Sequence, residues 1–274
     1  MRLVTYKKID GSSSIGELRG DDLYSLGTSL SMSEIASGEK TLDREESFKV
    51  MKHKGIQAPI MPSKIFCVGR NYAEHAAELS NALPTSPLIF SKYPTCVIGN
   101  DENIQWHDDL TQKVDWEGEL AVVIGKTAKN IREEDAYEHI FGYTVANDIS
   151  ARDLQDSESQ WVRAKAQDTF CPLGPAIVTK DDLADPHALQ VVTKVNGEIM
   201  QNGNTSDMIF KIPYLVAYLS RTFTLLPGDL ILTGTPSGVG KAMKPPKFLN
   251  DGDVVEVTIE GIGTVRNTCE VLKA

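Results

Sequence analysis

The chain lacks any apolar run long enough to cross a membrane. Runs such as Leu120-Ala-Val-Val-Ile124 and Leu230-Ile-Leu232 fall far short of the roughly 20 residues a spanning helix needs. It also lacks an apolar signal core: Met1-Arg-Leu-Val-Thr-Tyr-Lys-Lys begins a polar alternation, so the expected location is the cytoplasm. Cysteine is scarce. Cys67, Cys96, Cys171 and Cys269 are scattered without a Cys-x-x-Cys pair, which disfavours a zinc site and suits reduced, buried thiols. Positive charge is in deficit, with 28 Lys and Arg against 38 Asp and Glu and a net charge of −10. Such a chain repels phosphate backbones and anionic lipid, so neither nucleic acid nor membrane is an expected partner. A small anionic substrate stays open, because a local cluster of cations or a metal reverses the sign inside a cleft.

Several catalytic fingerprints are missing too. Gly240-Lys241 has Thr235 where a P-loop needs glycine, and Ala242 follows the lysine. No Gly-x-Gly-x-x-Gly opens a helix and no Gly-x-Ser-x-Gly elbow is present, which argues against dinucleotide binding and serine esterases. Cys171 has no assignable histidine partner, and neither His107 nor His139 has metal-ligand spacing.

What is present is ordinary globular material, 41% hydrophobic and 24% charged over 274 residues, enough for one large domain or one plus a small one. Val4–Lys7, Ile15–Leu18 and Leu23–Leu26 read as short strands between Gly and Asp turns, followed by a polar stretch, Ser31 to Lys54, with weak helical spacing. Ala58-Pro-Ile-Met-Pro62 suits an extended linker. The expected division is therefore a small N-terminal α/β domain over 1–60 and a larger domain over 61–274. Beyond Pro62 strands predominate: Ile65–Val68, Pro87–Ser91, Glu119–Gly125, Phe141–Ala146, Ala176–Thr179, Leu189–Val195 and Leu230–Thr233, with a hairpin of Val254–Ile259 and Gly263–Asn267. Helices are expected over Tyr72–Leu79 with Asn71 as cap, Ile131–Ile140 capped by Asn130, and Ile212–Thr222 with Pro213 in its first turn. Strands and helices do not alternate regularly, so the predicted class is α+β and β-dominated, a mixed roll or sandwich.

The segment Val114-Asp-Trp-Glu-Gly-Glu-Leu-Ala-Val-Val-Ile-Gly125 is the most informative. Side chains alternate along a strand, so Glu117 and Glu119 share a face at the entrance of an apolar strand, roughly 6.6 Å apart at about 3.3 Å per residue. Two carboxylates beside a core call for compensation, and a divalent cation supplies it. Asp148 ends a second apolar strand and adds a third oxygen ligand; three acids around a hard cation suggest Mg²⁺, with Mn²⁺ or Ca²⁺ as substitutes. The plainer readings are acids ending in solvent and a turn-forming Asp148.

Gly69-Arg-Asn-Tyr-Ala-Glu-His75, Asp115-Trp-Glu-Gly-Glu-Leu-Ala-Val-Val-Ile-Gly125, Gly142-Tyr-Thr-Val-Ala-Asn-Asp-Ile-Ser-Ala-Arg-Asp-Leu-Gln155 and Leu232-Thr-Gly-Thr-Pro-Ser-Gly-Val-Gly240 together resemble the fumarylacetoacetate hydrolase (FAH) family, over about residues 58–270. The resemblance implies that family's mixed β-sandwich roll with a small N-terminal domain, a divalent metal and a homodimer. It implies Glu117, Glu119 and Asp148 as metal ligands, His75 and Glu78 as a catalytic pair on a lid helix, and Lys165 and Gln155 as holders of the substrate carboxylate and developing enolate. Arg152 is expected near the site, or bracing it through Asp153 or Glu119, and Thr235 as a substrate contact. Read without the resemblance, His75 is a helix-surface histidine, Lys165 a solvated lysine and Thr235 a turn hydroxyl. The implied activity is metal-dependent hydrolysis of a C–C bond in short 2,4-dioxo acids such as acylpyruvates or fumarylpyruvate-like compounds. The alternatives on the same scaffold are an oxaloacetate decarboxylase or tautomerase and a 2-hydroxyhepta-2,4-diene-1,7-dioate-type isomerase. A non-catalytic regulatory protein would be expected to lose some of these acids or the pair, and all are intact.

Overall fold

The computed structural model describes residues 1–38, 42, 47–79 and 82–273. Its central strand, Gly118–Ile124, is buried at every position. It runs antiparallel to Ile140–Asn147 on one side, with Glu119 opposite Ala146, and to Leu230–Leu232 on the other, with Ala121 opposite Leu232. The sheet continues through Cys171–Thr179 at one end, and through Ile65–Gly69 and Leu88–Lys92 at the other. The strand's period of two decides what each face meets. Ala121 and Val123 join one core with Cys67, Cys171 and Leu232. Leu120, Val122 and Ile124 join a second core with Leu215, Val216 and Leu219 of the helix Ile212–Thr222 and with Val191, Val257 and Val265.

Those last three valines belong to a second sheet, ordered Glu198–Asn204, Gln190–Val195, Val254–Ile259, Gly263–Leu272, Asn103–His107. The expected hairpin is there, Ile259 opposite Gly263. The two sheets come close at Gly118, where a Cβ would lie 2.4 Å from Thr193 Oγ1 and 2.9 Å from Val257 Cγ1. Only glycine allows that approach, and it sits between the two glutamates. The molecule is β-dominated with mixed sheets, as the sequence predicts.

Two helix starts differ from expectation. Asn71 does not cap the helix Ala73–Glu78; its amide bonds the Phe210 and Thr233 carbonyls instead. Asn130 adopts φ 51°, and the segment after it is a 3₁₀ helix, Glu133–His139, rather than an α-helix. In the N-terminal stretch the helix among the described residues is Met32–Ser37, opened by a Ser31–Glu34 capping box; residues 39–41 and 43–46 of the expected weak helix lie outside the described residues. Arg2–Lys7 pairs with Cys171–Thr179, Leu3 opposite Ile177. We propose the division near residue 60 as one of chain organisation, across a hydrogen-bonded sheet.

The helix Ile212–Thr222 has no side-chain cap from its own N-cap residue; the Ile212 N–H donates to His187 Nε2 at 3.1 Å. That bond requires a neutral acceptor nitrogen. Burial, then the Lys211 charge, pulls His187 below its ordinary value of 6.5, with Asp185 opposing. A depressed folded-state pKa contributes stability present above the unfolded value and lost as pH falls through the folded one. Thermal unfolding should therefore show a loss of Tm on going from about pH 7 towards pH 5 that is smaller in His187→Gln; equal losses would remove His187 as the cause.

Candidate metal centre and active site

Two strand ends assemble the acids. The Asp148 N–H donates to the Glu117 carbonyl at 2.8 Å, and the Glu117 N–H to Asn147 Oδ1 at 3.0 Å. Gly234 N–H, from the loop after Leu230–Leu232, donates to Glu119 Oε2 at 2.7 Å. One carboxylate oxygen from each of Glu117, Glu119 and Asp148 lies within 4.8 Å of the others, and all three residues are buried.

Three buried cations surround them. Lys165 Nζ donates to Glu117 Oε2 at 2.7 Å and Asp148 Oδ2 at 2.9 Å. Lys92 Nζ donates to Asp148 Oδ1 at 2.6 Å and to the carbonyls of Ile149 and Lys165. Arg152 Nε donates to Asp115 Oδ2 at 2.7 Å, and its Nη2 lies 2.7 Å from Glu117 Oε1. With Asp115 counted, four buried carboxylates face three cations, and Glu119 is the one without a positive partner. Burial, followed by the Asp148 and Glu117 charges, pushes Glu119 well above the usual carboxylate range. Burial also raises Glu117, but Lys165 and Arg152 outweigh it and hold that acid well below the range. An all-oxygen donor set with a residual negative charge fits a hard divalent cation.

The same region walls a cavity of about 310 Å³ lined by His75, Glu117, Glu119, Arg152, Gln155, Lys165 and Thr235, among others. Asp148 does not line it. His75 Nδ1 lies 2.7 Å from Glu78 Oε1, and the other carboxylate oxygen, Oε2, accepts from Gly238 N–H at 2.8 Å. With Nδ1–H donated to Glu78, Nε2 is left to exchange a proton.

The structure thus brings every expected site residue to one place. Lys165 is buried rather than solvated, and His75 is 5% exposed rather than a surface histidine. Arg152 pairs with Asp115 and Glu117, not with Asp153 or Glu119; Asp153 accepts from Thr111 instead. Gln155 Oε1 accepts from Arg152 at 3.0 Å. The Thr235 hydroxyl donates to the Gly118 carbonyl and accepts from Gln201, so its proton is already committed to the backbone. Two buried residues went unread in sequence. Asp115 receives Arg152, Gly240 N–H and Lys241 N–H, and Lys92 is the last residue of the strand Leu88–Lys92.

Lys92 is the clearest test of how Asp148 is held. Removing one partner of a buried pair costs about 3–5 kcal/mol where the other charge is left alone; Asp148 keeps Lys165, so the loss here should fall below that range. Lys92→Met should lower Tm correspondingly and weaken Mg²⁺ binding by calorimetry. Unchanged values for both would show that Asp148 does not depend on it.

Residues 64–270 match the family described as fumarylacetoacetate (FAA) hydrolase C-terminal. The oxaloacetate tautomerase YisK of Bacillus subtilis (strain 168) is 50% identical over 216 residues, which cover 77% of this chain and 72% of that protein. Among solved structures, a fumarylacetoacetate hydrolase from psychrophilic Exiguobacterium antarcticum superposes with a TM-score of 0.91 at 40% identity, covering 99% of this chain and all of that one. A 2-hydroxyhepta-2,4-diene-1,7-dioate isomerase from Mycobacterium marinum superposes at 0.82 and 38% identity, covering 99% and 98%.

Proposed function

The chain belongs to the fumarylacetoacetate hydrolase family, a family of enzymes, and from that premise we propose that it interconverts the enol and keto forms of oxaloacetate or a closely similar 2-oxo diacid. The tautomerase alternative thereby takes precedence over acylpyruvate hydrolysis. The half-identical relative carries that activity in its name. The observation that carries the reading is His75, paired with Glu78, lining the same small polar cavity as Glu117 and Glu119 of the acid cluster. Tautomerisation needs a proton moved between C3 and the C2 oxygen and needs no water.

A divalent cation, Mg²⁺ in this reading, held by Glu117, Glu119 and Asp148 would polarise the 2-oxo oxygen and favour the negative charge that develops there. His75 takes the C3 proton at Nε2 while Glu78 fixes its tautomer and steadies the imidazolium. Lys165 and Gln155 offer donors to the developing oxyanion, and Arg152 holds both Glu117 and Gln155 in place. The proton is returned at the C2 oxygen, so no atom is gained or lost.

The test is the decay of enol oxaloacetate in the presence of Mg²⁺. Acceleration without matching release of pyruvate supports the tautomerase. Pyruvate released from acylpyruvates, with no acceleration of the enol–keto exchange, would return the hydrolase reading. We propose further that the protein is a cytoplasmic homodimer; light scattering should give twice the 30.1 kDa chain mass.

A further inference from the structure

We infer that Arg70 is the residue that selects a substrate with a second, distal carboxylate. The inference rests on the proposed 2-oxo diacid substrate and names how its far end is recognised. Four cationic side chains besides His75 line the cavity: Arg70, Arg152, Lys165 and Lys241. Three are committed. Arg152 pairs with Asp115 and Glu117, Lys165 with Glu117 and Asp148, and Lys241 with Asp156. Among the described residues Arg70 has no hydrogen-bond or ion-pair partner. A guanidinium left unpaired in the wall of a polar cavity is a receptor for an anion, and its planar fork matches a carboxylate.

The backbone supports the same reading. Arg70 has φ 58°, a left-handed conformation that residues with a branched or long side chain rarely adopt. Its neighbour imposes it. The Asn71 carbonyl accepts from Ile209 N–H at 2.7 Å, its side-chain oxygen accepts from Phe210 N–H at 2.7 Å, and its amide donates to the Thr233 carbonyl at 2.8 Å. Residue 71 is thus pinned to two other segments, and the strain at residue 70 is maintained by them. Strain of this kind is found where it holds a functional group in place. The acid cluster accounts for the 2-oxo acid head; none of its three buried cations is free to meet a carboxylate at the other end.

Arg70→Asn deletes the guanidinium while keeping a residue that tolerates positive φ, so Tm should be retained or raised. The probes are oxalate, which mimics only the head, and 3,3-difluoro-oxaloacetate, which keeps the distal carboxylate and has no C3 proton to lose. Calorimetry on the full chain with Mg²⁺ should show about 10–100-fold weaker binding of the difluoro diacid, the range expected for a lost charged hydrogen bond, and unchanged binding of oxalate. Arg70→Lys should fall between. With oxaloacetate as substrate, KM should rise by a similar factor with kcat retained. Equal losses for both probes, or no loss for the diacid, would overturn the assignment. A wild-type protein that fails to interconvert oxaloacetate but keeps the probe difference would overturn the proposed reaction and leave Arg70 in its role.

Discussion

Glu119→Gln should abolish useful binding of Mg²⁺ while leaving the fold intact. Glutamine matches the shape of glutamate and can still accept the Gly234 N–H, so the bond at 2.7 Å survives. What disappears is the one carboxylate of the four in the site that has no positive partner, beside Asp148 and Glu117. Removing a group that merely supports a metal ligand costs about 10–100-fold in affinity, so loss of a ligand charge should exceed 100-fold. Without metal the variant should unfold at the same temperature as wild type or higher, because a buried like-charge repulsion has gone. The two readouts move in opposite directions, and a structural role for Glu119 would move them together. Calorimetric titration with Mg²⁺ and thermal unfolding of the metal-free protein decide the matter. Wild-type activity of the variant at low micromolar metal would dismiss Glu119 as a ligand.

His75→Ala should lower the rate of enol–keto interconversion by roughly 10²–10⁴-fold, as for a lost general acid–base group. The helix Ala73–Glu78 should persist, since alanine is the best helix former and His75 is not its N-cap. Affinity for Mg²⁺ should be unchanged, because His75 is not among the clustered acids. The complication is that Glu78 also receives Gly238 N–H, so the pair ties the helix to the loop over the cavity and its loss could admit water. Oxaloacetate decarboxylation separates the two effects: it needs an electron sink but no base at C3. Loss of tautomerisation with decarboxylation retained assigns proton transfer to His75. Equal losses assign closure, and retention of both rates removes the pair from the chemistry.

Much of this could be read locally because the signals are local. Strand periodicity places Glu117 and Glu119 on one face whatever lies beyond, and the structure has Ala121 and Val123 continuing that face into one core while Leu120 and Val122 enter the other. The Ile212–Thr222 helix is likewise written in its own apolar spacing and in Pro213. The two expected caps fail for different reasons: Asn130 adopts φ 51°, away from the extended backbone of an N-cap, and Asn71 gives its side chain to other partners. An asparagine side chain binds whichever backbone groups are presented to it, and for Asn71 those belong to residues 139 and 162 positions away.

Composition, alternation and motif order by themselves determined the β-dominated class and the acid-rich strand ends, and the family resemblance of the motifs pointed to most of the residues that meet in the site, though not to Asp115 or Lys92. Charge pairing was decided by tertiary structure alone. Lys165 reaches Glu117 across 48 residues, Lys92 reaches Asp148 across 56, and Arg152 reaches Asp115 across 37. A lysine's own sequence neighbourhood favours solvent, because the cost of burying an ammonium is offset only by carboxylates that long-range folding brings to it. Glu119 ends without such a partner and Arg70 without an acid for the same reason: which charges are left over depends on the completed pairing, and no short segment contains it.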